Sequence, residues 1–184
     1  GTSVNVIATA VTNITGSKTE LATTYGGGMT GLGNETITVS DANITSGEAN
    51  TIDGYTSGVV TATISTTAIA DLDDLTGTGN AYTITVATAD VTAAALKTVN
   101  DATLVNVTAA AVTQITGSAA DLADVYGGGI TGLGNEAITV SGSITSAQAN
   151  TIDAYTSGIV TATISTTAIA DLDDLTGTGN AYTI

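Results

Sequence analysis

The chain contains itself twice. The residues from Val60 to Ile84, VTATISTTAIADLDDLTGTGNAYTI, return unchanged as Val160 to Ile184, 100 positions on. Those from Ile14 to Ser40 return with substitutions as Ile115 to Ser141, 101 positions on. The extra residue is lost where Asp41-Ala42-Asn43 becomes Gly142-Ser143. A long period that divides again internally is the signature of a stacked array, in which each unit buries its apolar face only against its neighbours. Residues 1–101 read as a first long repeat and 102–184 as a second, shorter one, in one continuous array. The start aligns with Ala102 and the end falls inside a strand-like segment, which reads as a window of a longer array.

Composition narrows the core. The hydrophobic fraction is 42% and the mean hydropathy +0.35, too apolar for a disordered chain. Phe, Trp, Pro, Cys and His are all absent. The interior must therefore be Val, Ile, Leu and Ala with six Tyr as its only large rings, which suits a thin layered core better than a thick globule. With 17 acidic residues against Lys18 and Lys97, the net charge is −15. Phosphate backbones and anionic lipid need cations to meet them, so nucleic-acid and electrostatic membrane partners are excluded. No apolar run approaches the length of a membrane span. Without Cys there are neither disulfides nor thiolate metal sites.

Within the long repeat, β-branched runs at Val4–Ala8, Thr36–Ser40, Val59–Ser65, Ala81–Val86 and Thr103–Thr108 read as strands. Ala137–Ser141, Ile159–Ser165 and Ala181–Ile184 continue the series. They are spaced about 21 to 24 residues apart with one step near 32, for which the segment Ser17–Gly28 reads as an insertion. Short helices are expected between them. Ile69, Leu72 and Leu75 fall three apart, and Val91, Ala95 and Val99 four apart. Capping boxes at Thr45/Glu48, Thr145/Gln148 and Ser17/Glu20 mark helix starts. Gly58, Gly77 and Gly26–Gly28 read as stops.

Strands alternating with short helices imply parallel pairing through right-handed crossovers. The expected fold is α/β, a right-handed solenoid with coils of about 21–33 residues, four to each long repeat, and one parallel sheet backed by helices. A parallel β-helix is the alternative. Aliphatic ladders such as Ile64/Ile84 and Val86/Val105/Val107 should seal it.

Two sets of residues are candidates for binding. Thr36/Thr38, Thr61/Thr63, Thr83/Thr85 and Thr161/Thr163 alternate with apolar residues, so they should rank on the sheet face away from the helices. Such a face could order water, as in ice binding, or simply reflect the β-propensity of Thr. Asp71 and Asp74, with their copies Asp171 and Asp174, would share a helix face and suit calcium, a hard cation, or form a solvated helix start. The glycine-rich Tyr25–Glu35, YGGGMTGLGNE, has no Lys and is no phosphate loop; it reads as a turn. Without His or Cys no Ser-His-Asp set can be built. A paired-carboxylate glycosidase, using for example Asp73 or Glu35, is the catalytic option left, and near-exact duplication argues against an enzyme.

The segments Ile130–Asp153, ITGLGNEAITVSGSITSAQANTID, and LTGTGNAYTI resemble repeats of the giant cell-surface proteins of marine unicellular cyanobacteria, a group that includes the protein needed for swimming without flagella. Ile115–Leu122 and Asn150–Ala154 carry the same resemblance, and Gln148-Ala149 departs from it. The resemblance implies secretion, display at the cell surface, and a role in contact or motility. It carries over no catalytic residue. Taken together, the sequence reads as an extracellular structural spacer, stalk or filament element. Its partners would be further copies of itself, stacked end to end, and cell-surface components. The alternative is an adhesin that binds calcium, glycan or ice.

Overall fold

A computed structural model describes residues 5–184, so Val4 of the first expected strand lies outside them. The chain alternates short strands and helices. The first half runs β1 (Asn13–Gly16), α1 (Lys18–Gly26), β2 (Thr36–Val39), α2 (Ser46–Asp53), β3 (Val60–Thr63), α3 (Ile69–Leu72), β4 (Ala81–Thr83), β5 (Asp90–Thr92) and α4 (Ala93–Asp101). The second runs β6 (Val107–Thr108), β7 (Gln114–Gly117), α5 (Ala119–Gly127), β8 (Ile130–Thr131), β9 (Ala137–Ile144), α6 (Ser146–Asp153), β10 (Val160–Ile164), α7 (Ile169–Leu172) and β11 (Ala181–Thr183).

Every strand pairing is parallel. The strands form a four-stranded sheet, β1-β2-β3-β4, a five-stranded sheet, β11-β10-β9-β7-β5, and a two-stranded sheet, β6-β8. The single sheet expected from the sequence is therefore divided. Partners are close in sequence: Asn13 lies opposite Thr36, a separation of 23, Thr61 opposite Ala81, 20, and Asp90 opposite Gln114, 24. The fold is mixed α/β with parallel sheets and no closed barrel.

The step near 32 residues is not an insertion. Ser17–Gly28 holds an ordinary helix, α1, and it follows a strand, β1, that the sequence reading passed over. Asn13–Gly16 is short and ends in Gly, so its alternation covers too few residues to stand out. The real length change is Asp41-Ala42-Asn43 against Gly142-Ser143. In the second copy Gly142, at φ +80°, lets β9 run on to Ile144, with a register shift against β10 between Thr161 and Thr163. In the first, the three residues loop out, the chain rejoins at the Ile44–Ile64 bridge, and the Asp41 carboxylate accepts the Lys18 N–H at the start of α1 (2.6 Å).

All three capping boxes form as expected, at Ser17/Glu20, Thr45/Glu48 and Thr145/Gln148. The helical stripe of α4 does not begin at Val91, which lies in β5. The buried face is Ala93, Leu96 and Val99. The apolar spacing of three fits the helix, and the spacing of four borrowed a strand residue. Gly58 and Gly77 do not stop helices either. Gly54 caps α2, and a side chain at Gly58 would stand 2.3 Å from the Glu35 carbonyl oxygen.

Among the described residues the core is one cluster of aliphatics running from Leu21 to Ile164, with Tyr82 its only fully buried ring. Burying each Ile or Leu in it contributes about 2 kcal/mol. The inward rows are those expected: Val60 and Ala62 on β3 with Ile64 just after it, then Tyr82, Ile84 and Val86. Val105 is 38% exposed and drops out of its ladder. Register puts Val107 opposite Ile84 instead, because Thr85 bridges Thr108.

Candidate functional sites

The threonines expected on one face do point outward. Thr36, Thr61, Thr63, Thr83, Thr85, Thr161 and Thr163 are exposed and Thr38 is half-buried. Their ranks are short. Thr38 lies between Thr15 and Thr61, and that rank ends at Ala81. Thr161 continues Thr92, Thr116 and Thr139 and ends at Ala181. Thr63 pairs with Thr83, Thr163 with Thr183 and Ser143, and Thr85 with Thr108. Thr36 faces Asn13, whose amide donates to its hydroxyl (2.8 Å). The ranks thus recruit Thr15, Thr92 and Thr116 from strands the sequence did not reveal, and Thr139 from the expected strand Ala137–Ser141.

The aspartates are less gathered. Helix α3 is one turn long and ends at Leu72, so Asp71 lies in it and Asp74 beyond it. Both are exposed, as are Asp171 and Asp174. The Asp171 carboxylate accepts the Thr166 hydroxyl (2.9 Å), and the Asp74 carbonyl accepts the Asn50 amide (2.9 Å). Asp171 and Asp174 border an open groove of about 380 Å³ with Thr145 and Thr166. Among the described residues no three acidic side chains converge where they could hold an ion.

The best-built constellation centres on Glu35, which is 1% exposed. Its carboxylate accepts the Tyr25 hydroxyl, the Gly33 N–H (2.8 Å) and the Asn34 N–H (3.1 Å). Gly31 and Gly33, at φ +86° and +132°, bend the chain so that these N–H groups point inward. The Tyr25 ring stacks on Tyr55, with centroids 4.7 Å apart and planes 11° from parallel. The Thr56 hydroxyl donates to the Glu35 carbonyl (2.5 Å) and accepts the Gly58 N–H (2.9 Å). Burial opposes the charge on Glu35, but the Tyr25 hydroxyl and the backbone N–H groups outweigh it and hold the carboxyl below its ordinary range. Burial first, and then Glu35, push the Tyr25 hydroxyl well above its ordinary value.

The same clasp recurs around Glu136. Tyr126 donates to it and stacks on Tyr155 at 4.7 Å and 10°, while the Thr156 hydroxyl donates to the Glu136 carbonyl (2.6 Å). Chemically the arrangement fastens. Glu35 has its oxygens engaged and no exposed face, so it cannot share a substrate with the exposed Asp73. Sequence reasoning treated Tyr25–Glu35 as a turn. The available signal was internal: Tyr25, Glu35, Tyr55, Thr56 and Gly58 are unchanged between the copies, although Lys18-Thr19-Glu20 becomes Ala119-Ala120-Asp121.

A second buried polar knot joins Asn80 to the preceding unit. Its amide donates to Asp53 (2.7 Å) and its carbonyl accepts the Val60 N–H (2.8 Å). Among the described residues no helix is long and apolar enough to cross a membrane. No family model, no curated protein and no solved structure matches the chain.

Proposed function

We propose that the chain is a structural segment of a secreted or cell-surface protein. In this reading it is a right-handed α/β solenoid that acts as a spacer, stalk or self-assembling filament element, like the repeats of giant cyanobacterial surface proteins that its sequence resembles. One observation carries the reading. Parallel strand partners sit only 20 to 24 residues apart along the chain, so long-range structure is built from contacts between neighbouring units. The duplicated Tyr–Glu clasps support it, since each ties its unit to the next rather than opening a reactive pocket. Small-angle scattering with negative-stain microscopy tests it. Rods, isolated or joined end to end, are expected, and a spherical particle would overturn the reading.

A second reading is favoured by the in-register ranks such as Thr15, Thr38 and Thr61. In it the chain is an adhesin that binds ice or glycan on that face, with calcium held near Asp71 and Asp74. Thermal hysteresis, or a rise in melting temperature on adding calcium, would favour it over the spacer.

A further inference from the structure

Between α1 and α2 lies an open groove of about 320 Å³. Ile52, buried, is its floor, and the exposed Ala22 and Thr51 are its walls. Tyr55 stands toward one end and the Lys18–Glu48 ion pair (2.5 Å) toward the other. Glu48, Ile52 and Tyr55 recur at helical spacing, so the groove runs for about two turns, roughly 10 Å. It returns between α5 and α6, at about 240 Å³, with Ala123, Thr151, Ile152 and Tyr155 in the same places. There Ala119 and Gln148 stand where the ion pair was. Helix α5 also packs against α4 on its other side, so this second groove is interior to the array.

Each groove holds one aromatic ring, and that ring is fixed from behind. Tyr25 covers one face of Tyr55 and is tied through its hydroxyl to the buried Glu35. Tyr126 and Glu136 do the same for Tyr155. A ring fixed before a ligand arrives loses little freedom on binding. The polar groups then select against charge. Lys18 and Glu48 neutralise each other, and the lining of the second groove carries no charge at all. An anion would meet the field of a chain with net charge −15 and no free cation in either groove. A cation would find no carboxylate in the second. A wholly apolar ligand would cover Lys18, Glu48 or Gln148 and strip them of water. A ligand with an apolar face and hydroxyls along its edge fits both, because Lys18 with Glu48, or the two ends of the Gln148 amide, set a donor beside an acceptor.

We propose that the two grooves are binding sites for a neutral disaccharide unit of a glycan. One pyranose ring lies with its C–H face against Tyr55 or Tyr155, and hydroxyls of the next ring reach Lys18 and Glu48, or Gln148. The clasp thereby gains a use besides fastening, since it presets the ring on which the sugar rests. Tyr55 and Tyr155 stand 100 positions apart, so each long repeat carries one site and a glycan that reaches both gains by avidity. The proposal shares its ligand class with the adhesin reading above but places the ligand between helices. It needs neither the threonine ranks nor the rod.

The test is titration of the full chain, its tyrosines isotopically labelled, with cellobiose, maltose or lactose, followed by NMR. At least one of these sugars should move the ring signals of Tyr55 and Tyr155, with a dissociation constant of about 1–10 mM, and leave the buried Tyr82 unmoved. Ala22→Leu and Ala123→Leu each fill one groove from an exposed helix position, where Leu keeps the helix. Each should weaken binding at its own tyrosine by about tenfold or more and leave the other site unchanged. No ring shift with any of these sugars up to about 50 mM would overturn the proposal. So would shifts that survive both Leu variants. Shifts that survive them but vanish with Thr61→Ala would place the sugar on the sheet face, sinking the grooves and leaving the adhesin reading in force.

Discussion

The hydroxyl of Tyr25 donates to the carboxylate of Glu35, ten residues on, and the same bond joins Tyr126 to Glu136 in the second copy. The bond fastens the end of α1 to the loop that leads into β2, and Thr56 fastens that loop to the next unit. Removing the hydroxyl leaves the buried carboxylate with only its two backbone donors. Tyr25→Phe should cost about 1.5–3 kcal/mol in denaturant unfolding, the range for hydrogen bonds to a charged group. Ring stacking on Tyr55 would be kept. An equal loss when Glu35→Gln is already present would show that the two residues do not act as a pair.

The clasp should hold only over a window of pH. The Glu35 carboxyl sits below its usual 4.5 in the fold, so its stabilisation is complete above that pH and is lost as acid carries the solution through the folded value. Tyr25 sits above its usual 10.0, so its share is complete below pH 10 and is lost as the pH rises through the folded value. Melting temperature should therefore fall on both sides. Ultraviolet titration gives the sharper check: Tyr25, Tyr82 and Tyr126, all raised, should ionise only as the chain unfolds. All six tyrosines ionising together near pH 10, with circular dichroism unchanged, would contradict it.

Two glycines should respond to Ala in opposite directions. Gly47 lies inside α2 with nothing within 4 Å of an added methyl, and its counterpart is already Ala147. Gly47→Ala should stabilise by about 0.5–1 kcal/mol through helix propensity. At Gly58 the methyl would meet the Glu35 carbonyl oxygen at 2.3 Å and push the clasp apart. Gly58→Ala should therefore destabilise by about 1–3 kcal/mol, as overpacking against backbone does. Thermal melts of the two variants, side by side, settle the sign of each.

Much of the α/β alternation was legible because it rests on local rules. Capping boxes at Thr45/Glu48 and Thr145/Gln148 need only four residues, and the Val60/Ala62/Ile64 row is plain alternation. The strands passed over, Asn13–Gly16 and Gln114–Gly117, carry one apolar residue each between polar neighbours. What makes them strands is the partner at Thr36 or Ala137, a contact that no short window contains. The clasp was hidden for the same reason. A Tyr and a Glu ten residues apart look unrelated until glycines at positive φ fold the chain between them. The extent of the Thr ranks was not legible, since it depends on register with those same missed strands.

Asn80 and Asn180 offer the cleanest measure of how much a neighbouring unit adds to a polar contact. Each amide donates to the Asp that ends a helix one unit back, Asp53 of α2 or Asp153 of α6, at 2.7 and 2.5 Å, and each carbonyl accepts a Val N–H at 2.8 Å. The cover differs, and the Asn180 amide also donates to the Tyr182 hydroxyl (3.0 Å): Asn80 is 2% exposed beneath Thr103 and Leu104, whereas Asn180 is half-buried at the sheet edge. Asn80→Ala strands the Val60 N–H where water does not reach, and should cost about 2–3 kcal/mol. Asn180→Ala leaves a group that solvent can satisfy, and should cost under about 1 kcal/mol. The two sites share no partners, so the double variant should lose the sum. Equal losses from the two single variants would mean that burial does not set the strength of these bonds.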